Sequence, residues 1–366
     1  MRVPFKTSYN HDIRLFVDGY QACRYAALVA LAVGLPFVLD DFLIGEVTGV
    51  LIWAVAGMGL MLLTGHAGQV SLGHAAFLAV GCYAHAILMD RFGLPFLASF
   101  ALAGVLTGIV GVLIAIPVFR LHGIYLAIAT LALSMLVEDI IVLAEPWTGG
   151  VIGLTAPTIT IAGMDVDRFS SPDRFYWLCL SIVLLITLGY RNVLRAPLGR
   201  AFLAIRDSEV SAQAMGVRLA WTKAAAFGLS CLITGWAGAL LGHFFYTFNH
   251  EVFTVVVSIQ LLLMIVIGGI GSIHGAFYGA LVVGVIPQAI NIGRDWITEA
   301  IGTGGVAIPG LETGVFGLIL VLFILFEPQG VHGRITKWRI YFELFPFYRR
   351  DLFRRQRSYL KTERIR

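Results

Sequence analysis

FLASFALAGVLTGIVGVLIAIPVF, residues 96–119, runs for 24 positions without one charged side chain. A helix of that length rises about 36 Å, more than the roughly 30 Å of a bilayer's hydrocarbon core. The stretch therefore reads as a membrane-spanning helix. Nine further runs have the same character, at about 22–39, 43–64, 72–89, 123–143, 174–190, 222–245, 255–270, 274–292 and 314–327. Their continuity fits helices, because barrel strands would be shorter and would alternate apolar with polar residues. Of the 366 residues, 58% are apolar and 13% charged, and the mean hydropathy is +0.85. A soluble domain averages about a quarter charged residues, so that class is excluded. The 41 glycines suit helices that approach closely in lipid. The expected fold is all-α: a polytopic membrane protein of about ten transmembrane helices. It divides into an N-terminal segment at 1–21, a membrane domain at 22–330 and a basic tail at 331–366.

Orientation follows from where Arg and Lys gather, since cytoplasmic loops carry the excess. The loop at 191–221 and the start of the next span hold Arg191, Arg195, Arg200, Arg206, Arg218 and Lys223, against Asp207 and Glu209. The tail after 328 has eleven basic residues and three acidic ones. The loops at 144–173 and 293–313 are acidic, with Glu145, Asp165, Asp167, Asp173, Asp295, Glu299 and Glu312 against Arg168 and Arg294. Ten spans then put both termini in the cytoplasm and every loop on the side its charge prefers. The N-terminus has no signal-peptide core or cleavage site, so the first span is expected to stay in the membrane.

Within the basic loop, residues 196–216 read as one short helix. Pro197 suits a first turn, and Gly216 suits a left-handed stop. Leu198, Phe202, Ile205, Ala212 and Met215 gather on one side of it. Such a stripe could sit in a partner's groove or lie on the anionic inner leaflet, and spacing alone leaves both open.

Polar residues inside apolar runs mark candidate pathway positions. TGHAGQVSLGHAAF combines Gly65, Gly68 and Gly73 with Thr64, Gln69, Ser71 and His74. It reads either as a broken helix restarting at Ser71, with free N–H groups for a carboxylate, or as a turn capped by Ser71. TGGVIGL adds Thr148, Gly149 and Gly150 on the acidic side. GGIGSIHG, with Gly268, Gly269, Gly271 and Gly275, reads as a tight turn. His74 and His85 share a helix face and read as packing residues, and two histidines without a third ligand argue for no metal site. Cys23, Cys82, Cys179 and Cys231 are far apart and read as small apolar residues. No lysine follows glycine in a phosphate-cradling motif, and the longest soluble segment is the 39-residue tail. The chain is therefore not expected to be an enzyme; ATP hydrolysis, if used, belongs elsewhere. No folded nucleic-acid-binding module is visible.

APLGRAFLAIRDSEVSAQAMGV (196–217) resembles the cytoplasmic loop of permease subunits of branched-chain amino-acid ABC importers, specifically the longer, M-type subunit. GQVSLGHAAFLAVGCYAHAIL (68–88), GIYLAIATLAL (123–133), TGGVIGL (148–154), GGIGSIHGAFYGALVVG (268–284) and FEPQGVHG (326–333) are similar in the same order. The resemblance spans roughly residues 45 to 335. It implies a bacterial inner-membrane permease working with a second homologous permease, a periplasmic solute-binding protein and two cytoplasmic ATPase subunits that use ATP and Mg; no cofactor is implied for this chain. It also implies that the loop helix seats in an ATPase cleft. That role carries to Gly199, Arg200, Ala204, Arg206, Asp207, Glu209, Met215 and Gly216, with Arg206 and Glu209 making charged contacts and Gly199 permitting close approach. Two departures bear on substrate: Val151 and Ile152 stand where relatives often have a polar pair, and Met135 replaces a common carboxylate. The expected cargo is a branched-chain or related hydrophobic amino acid. The competing classes are a secondary carrier and a urea-type small-solute permease; isolated in vesicles, only those would move solute.

Overall fold

The computed structural model describes residues 19–118, 123–161, 163–285 and 329–344, with isolated positions from 314 to 327. Helix α1 is Gly19–Gly34, followed by a 3₁₀ turn at Leu35–Phe37. Helix α2 is Asp41–Leu60 and continues as a π turn, Met61–His66. Next come α3 (His74–Asp90), α4 (Phe96–Val118), α5 (Ile124–Leu143) and the single turn α6 (Glu145–Thr148). Helix α7 (Pro172–Arg195) leads into α8 (Pro197–Asp207) and α9 (Glu209–Ala214). The remaining helices are α10 (Leu219–Phe245), α11 (Val255–Gly268), α12 (Ile273–Val285) and α13 (Gly330–Leu344).

Among the described residues, six helices are long and apolar enough to cross a membrane, and α1, α3 and α12 are shorter apolar helices. They coincide with the first nine expected runs, although residues 286–292 of the ninth lie outside the described residues. So do six of the fourteen residues of the tenth, the acidic loop at 293–313, residues 1–18 and the end of the tail. The all-α expectation holds, and the strands are minor additions. Two short antiparallel pairs form at one end of the bundle: β1 (Leu154–Thr155) with β4 (Thr247–Phe248), and β2 (Ile159–Ile161) with β3 (Met164–Val166). Runs of two or three residues are too short to show a period in sequence.

The inner helices are α2 and α10, with 78% and 72% of their apolar windows buried; α5 and α7, at 28% and 33%, form the perimeter. Helix α10 packs against α4, α3 and α2. Glycine allows this: a Cβ on Gly81 of α3 would overlap the backbone of Gly235 on α10. In lipid such contact gains van der Waals packing without hydrophobic transfer. For the same reason Leu102, Ile109, Leu113 and Ile116 of α4 are exposed without penalty. Of the cysteines, Cys82, Cys179 and Cys231 are buried as expected, whereas Cys23 is exposed.

Candidate functional site

At the end of the bundle opposite the strands, the chain turns a corner between α7 and α8. Ala196 adopts an extended conformation and its N–H donates to Asn192 O and Val193 O at 3.1 Å. Pro197 opens α8 as expected, since its missing N–H is one the first turn leaves unused. The expected single helix is corrected to two. Ser208 breaks it with φ −164° and ψ 116°, and its hydroxyl accepts from Ser211 N–H at 3.3 Å, capping α9. Gly216 ends α9 at φ 87°. Val217 N–H donates to Ala212 O and Gly216 N–H to Gln213 O, both at 3.0 Å, the pairing of a left-handed helix stop.

The apolar stripe faces inward. Phe202, Ile205 and Ala212 are buried and Leu198 packs on the core, so the bundle itself occupies the face that spacing left open to a partner's groove or the inner leaflet. Met215 departs from the stripe: it is 86% exposed, and with Val210 at 80% it forms the outward apolar surface. Gly199 has close neighbours within the chain. It is buried, and a Cβ there would lie 2.5 Å from Leu194 Cα and from the carbonyl oxygens of Val193 and Leu194. Its bareness serves the α7–α8 corner inside this chain. Ala204 is half-buried and accepts from Ser208 N–H at 3.1 Å, while Arg200 donates to Arg195 O at 3.2 Å.

The charges expected to meet a partner make contacts at home. Arg206 Nη1 donates to Gly65 O at 3.0 Å, and its Nε and Nη2 face Asp207 Oδ1 at 3.3 and 3.2 Å. Glu209 pairs with Lys223 of α10 at 2.7 Å. The Lys223 side chain is only 8% exposed, so the carboxylate supplies the partner a buried ammonium requires.

Beyond the π turn, residues 67–73 have no regular secondary structure and run back into the bundle. Helix α3 starts inside, beside Ser230, which lies about 16 Å along α10. The broken-helix and turn expectations both need revising. The stretch is irregular, with Gln69, Ser71 and Gly73 buried and Gly68 and Val70 exposed, and the new helix starts at His74, with Gly73 and not Ser71 at its cap position. Backbone at this depth must find its partners in protein, and here hydroxyls supply them. Thr130 Oγ1 of α5 accepts from Leu72 N–H at 3.0 Å, and Ser258 Oγ of α11 accepts from Ala75 N–H at 2.9 Å. Gly73 fits directly against the Thr130 backbone.

His74 is fully buried between two hydroxyls. Ser230 Oγ donates to Gly59 O at 2.6 Å and sits 2.8 Å from His74 Nε2. That leaves His74 Nε2–H as donor to Ser230, and Nδ1 accepting from Ser71 Oγ at 2.9 Å. Gln69 is buried, and its side-chain N–H₂ has no partner among the described residues. Sequence reasoning found Gln69, Ser71, Gly73 and His74 but missed Thr130, Ser230 and Ser258. A lone hydroxyl in an apolar run gives no signal beyond ordinary helix back-bonding.

Thr148, Gly149 and Gly150 lie at the opposite end and do not meet this cluster. Thr148 Oγ1 donates to Ile141 O at 2.5 Å and to Ala144 O at 3.0 Å, closing the end of α5, and Gly149 is its left-handed neighbour at φ 71°. Their contacts are structural. Within 148–154 the exposed residues are Val151 and Ile152.

A helical bundle with buried hydroxyls around an irregular inner segment, and a two-piece loop helix hung on one corner, defines a multi-pass membrane protein of the transporter class. Residues 43–324 match the family described as branched-chain amino acid transport system, permease component, and the chain belongs to that family as a permease. It is 28% identical over 326 residues to the high-affinity branched-chain amino acid transport system permease protein LivM of Escherichia coli, covering 83% of this chain and 73% of that one. It is 24% identical to BraD of Pseudomonas aeruginosa, named as a permease of the same kind, over 77% of this chain and 92% of the relative. The probable permease LivH of Methanocaldococcus jannaschii is 24% identical, over 78% and 89%. No solved structure matches.

Proposed function

We propose that this chain is one of two membrane subunits of an ATP-driven importer in a bacterial inner membrane. It forms half of a pathway for branched-chain or related hydrophobic amino acids. A solute-binding protein delivers cargo at the strand end, two ATPases act at the loop-helix end, and the chain itself carries out no covalent chemistry. Ten spans put both termini and the basic loop in the cytoplasm.

The observation that carries this reading is the loop at 196–217. Its apolar stripe is satisfied by its own bundle, so Val210 and Met215 remain as outward apolar groups on an otherwise polar rim. Exposed apolar groups set in a charged surface suit a protein partner. An anchor on the inner leaflet would instead turn its main apolar face outward. On the strand end, exposed Val151 and Ile152 give a delivery protein an apolar contact and offer no charge to a substrate carboxylate.

The test is uptake into proteoliposomes. This chain alone is expected to be inert under ion gradients. The full complex with its binding protein should concentrate an aliphatic amino acid only when ATP is supplied. Accumulation by the isolated chain, or ATP-independent flux of urea through it, would overturn the proposal.

A further inference from the structure

We infer that Arg206 is an internal positioning residue of the transport cycle: it ties α8 to the inner stretch 65–73, where the π turn gives way to irregular backbone, and to the turn at 269–271, so that the three move as one body. This rests on the importer reading above and assigns the arginine a role inside the chain in place of contact with the ATPase.

Three contacts meet at this side chain. Its Nη1 donates to Gly65 O at 3.0 Å, at the end of the π turn where helix carbonyls lack partners of their own. Its stem covers Gly68, where a Cβ would come 3.0 Å from Arg206 Cγ and 3.2 Å from its Cα. A Cβ on Gly271 would lie 3.5 Å from Nη1, and Gly271 N–H itself faces Met61 Sδ at 3.1 Å. Loop helix, inner stretch and turn thus touch through three glycines and one guanidinium, with the Met61 sulfur seated against both Gly65 and Gly271. Gly68 and Gly271 also hold φ of 72° and 86°, which side chains rarely adopt.

The guanidinium is itself aimed. Asp207 Oδ1 takes Nε and Nη2, which leaves Nη1 for Gly65. A lysine ammonium has no such fork. The next link is already in place, because 65–73 ends on Gly73 against Thr130 and on His74 between Ser71 and Ser230. Movement of α8 therefore reaches the buried hydroxyl cluster through Gly65, along a continuous packed route.

The test uses Arg206→Lys and Arg206→Gln in the assembled complex in nanodiscs. The expected result is normal co-purification of the ATPase subunits and an unchanged KM for ATP, with solute moved per ATP falling about tenfold. A second readout follows the body itself. Spin labels at Val70→Cys and Ala201→Cys of α8, in a Cys23→Ser background, should keep one distance with and without nucleotide, while a 160–201 pair, with its first label at Thr160→Cys on the strand end, changes. In Arg206→Gln the 70–201 distance distribution should broaden. Loss of ATPase subunits from the variant complex would make Arg206 a partner contact and overturn the inference, as would an unbroadened 70–201 distribution. The 70–201 pair is measurable on this chain by itself. If the wild-type complex proves indifferent to ATP, the importer reading fails, while broadening in the isolated variant still supports the tie.

Discussion

His85 of α3 and His243 of α10 meet Nε2 to Nε2 at 2.9 Å inside the bundle. One ring must donate and the other accept across this contact, while His85 Nδ1 has no partner among the described residues. Phe96 packs edge-on against both rings. Phe in place of His243 strands one ring nitrogen, at a cost of about 1–3 kcal/mol. Phe at both positions is expected to cost less than the two single changes added together. Thermal unfolding of the four proteins in detergent measures the coupling, and strictly additive losses would show that the hydrogen bond contributes nothing.

The α7–α8 corner has no room at Gly199. Gly199→Val should lower stability by about 1–3 kcal/mol or prevent folding, because the obstructing atoms are backbone and cannot rotate away. The melting midpoint and the yield of monodisperse protein report it. An unchanged midpoint would mean the corner is looser than its geometry.

Lys223 and Glu209 should respond unequally. Glu209→Gln leaves an ammonium whose side chain is 8% exposed, whereas Lys223→Met leaves a carboxylate that is 35% exposed and reached by water. The first change is expected to cost about 1 kcal/mol or more and the second clearly less, since water screens the remaining charge only in the second. Chemical denaturation of both variants gives the order, and the reverse order would contradict the burial argument.

Val210 and Met215 are exposed and support no packing of their own. Aspartate at both positions should leave the chain's melting within about 0.5 kcal/mol of wild type and abolish co-purification of the ATPase subunits. Retained subunits would move the docking surface elsewhere on the loop.

The apolar runs were legible because a span must be continuous: 96–119 became Phe96–Val118, and 123–143 became Ile124–Leu143. Pro197 and Gly216 were legible because their backbone limits act locally. The break at Ser208 was partly legible, since Asp-Ser-Glu holds a capping serine before an acidic first turn. The partner of Gly199 was not, because a glycine permits close approach without naming the backbone it approaches. His243 was missed for a similar reason: its partner lies 158 residues away, and each histidine alone looks like a packing residue.

Helix α3 borrows its opening partners from helices made later. Leu72 waits for Thr130, 58 residues downstream, and Ala75 waits for Ser258, 183 residues downstream. During synthesis α3 therefore has no settled position until the chain has emerged past residue 258. Until then its polar start must be sheltered by the insertion machinery or by lipid headgroups, so truncations before that point should leave a segment that cells degrade.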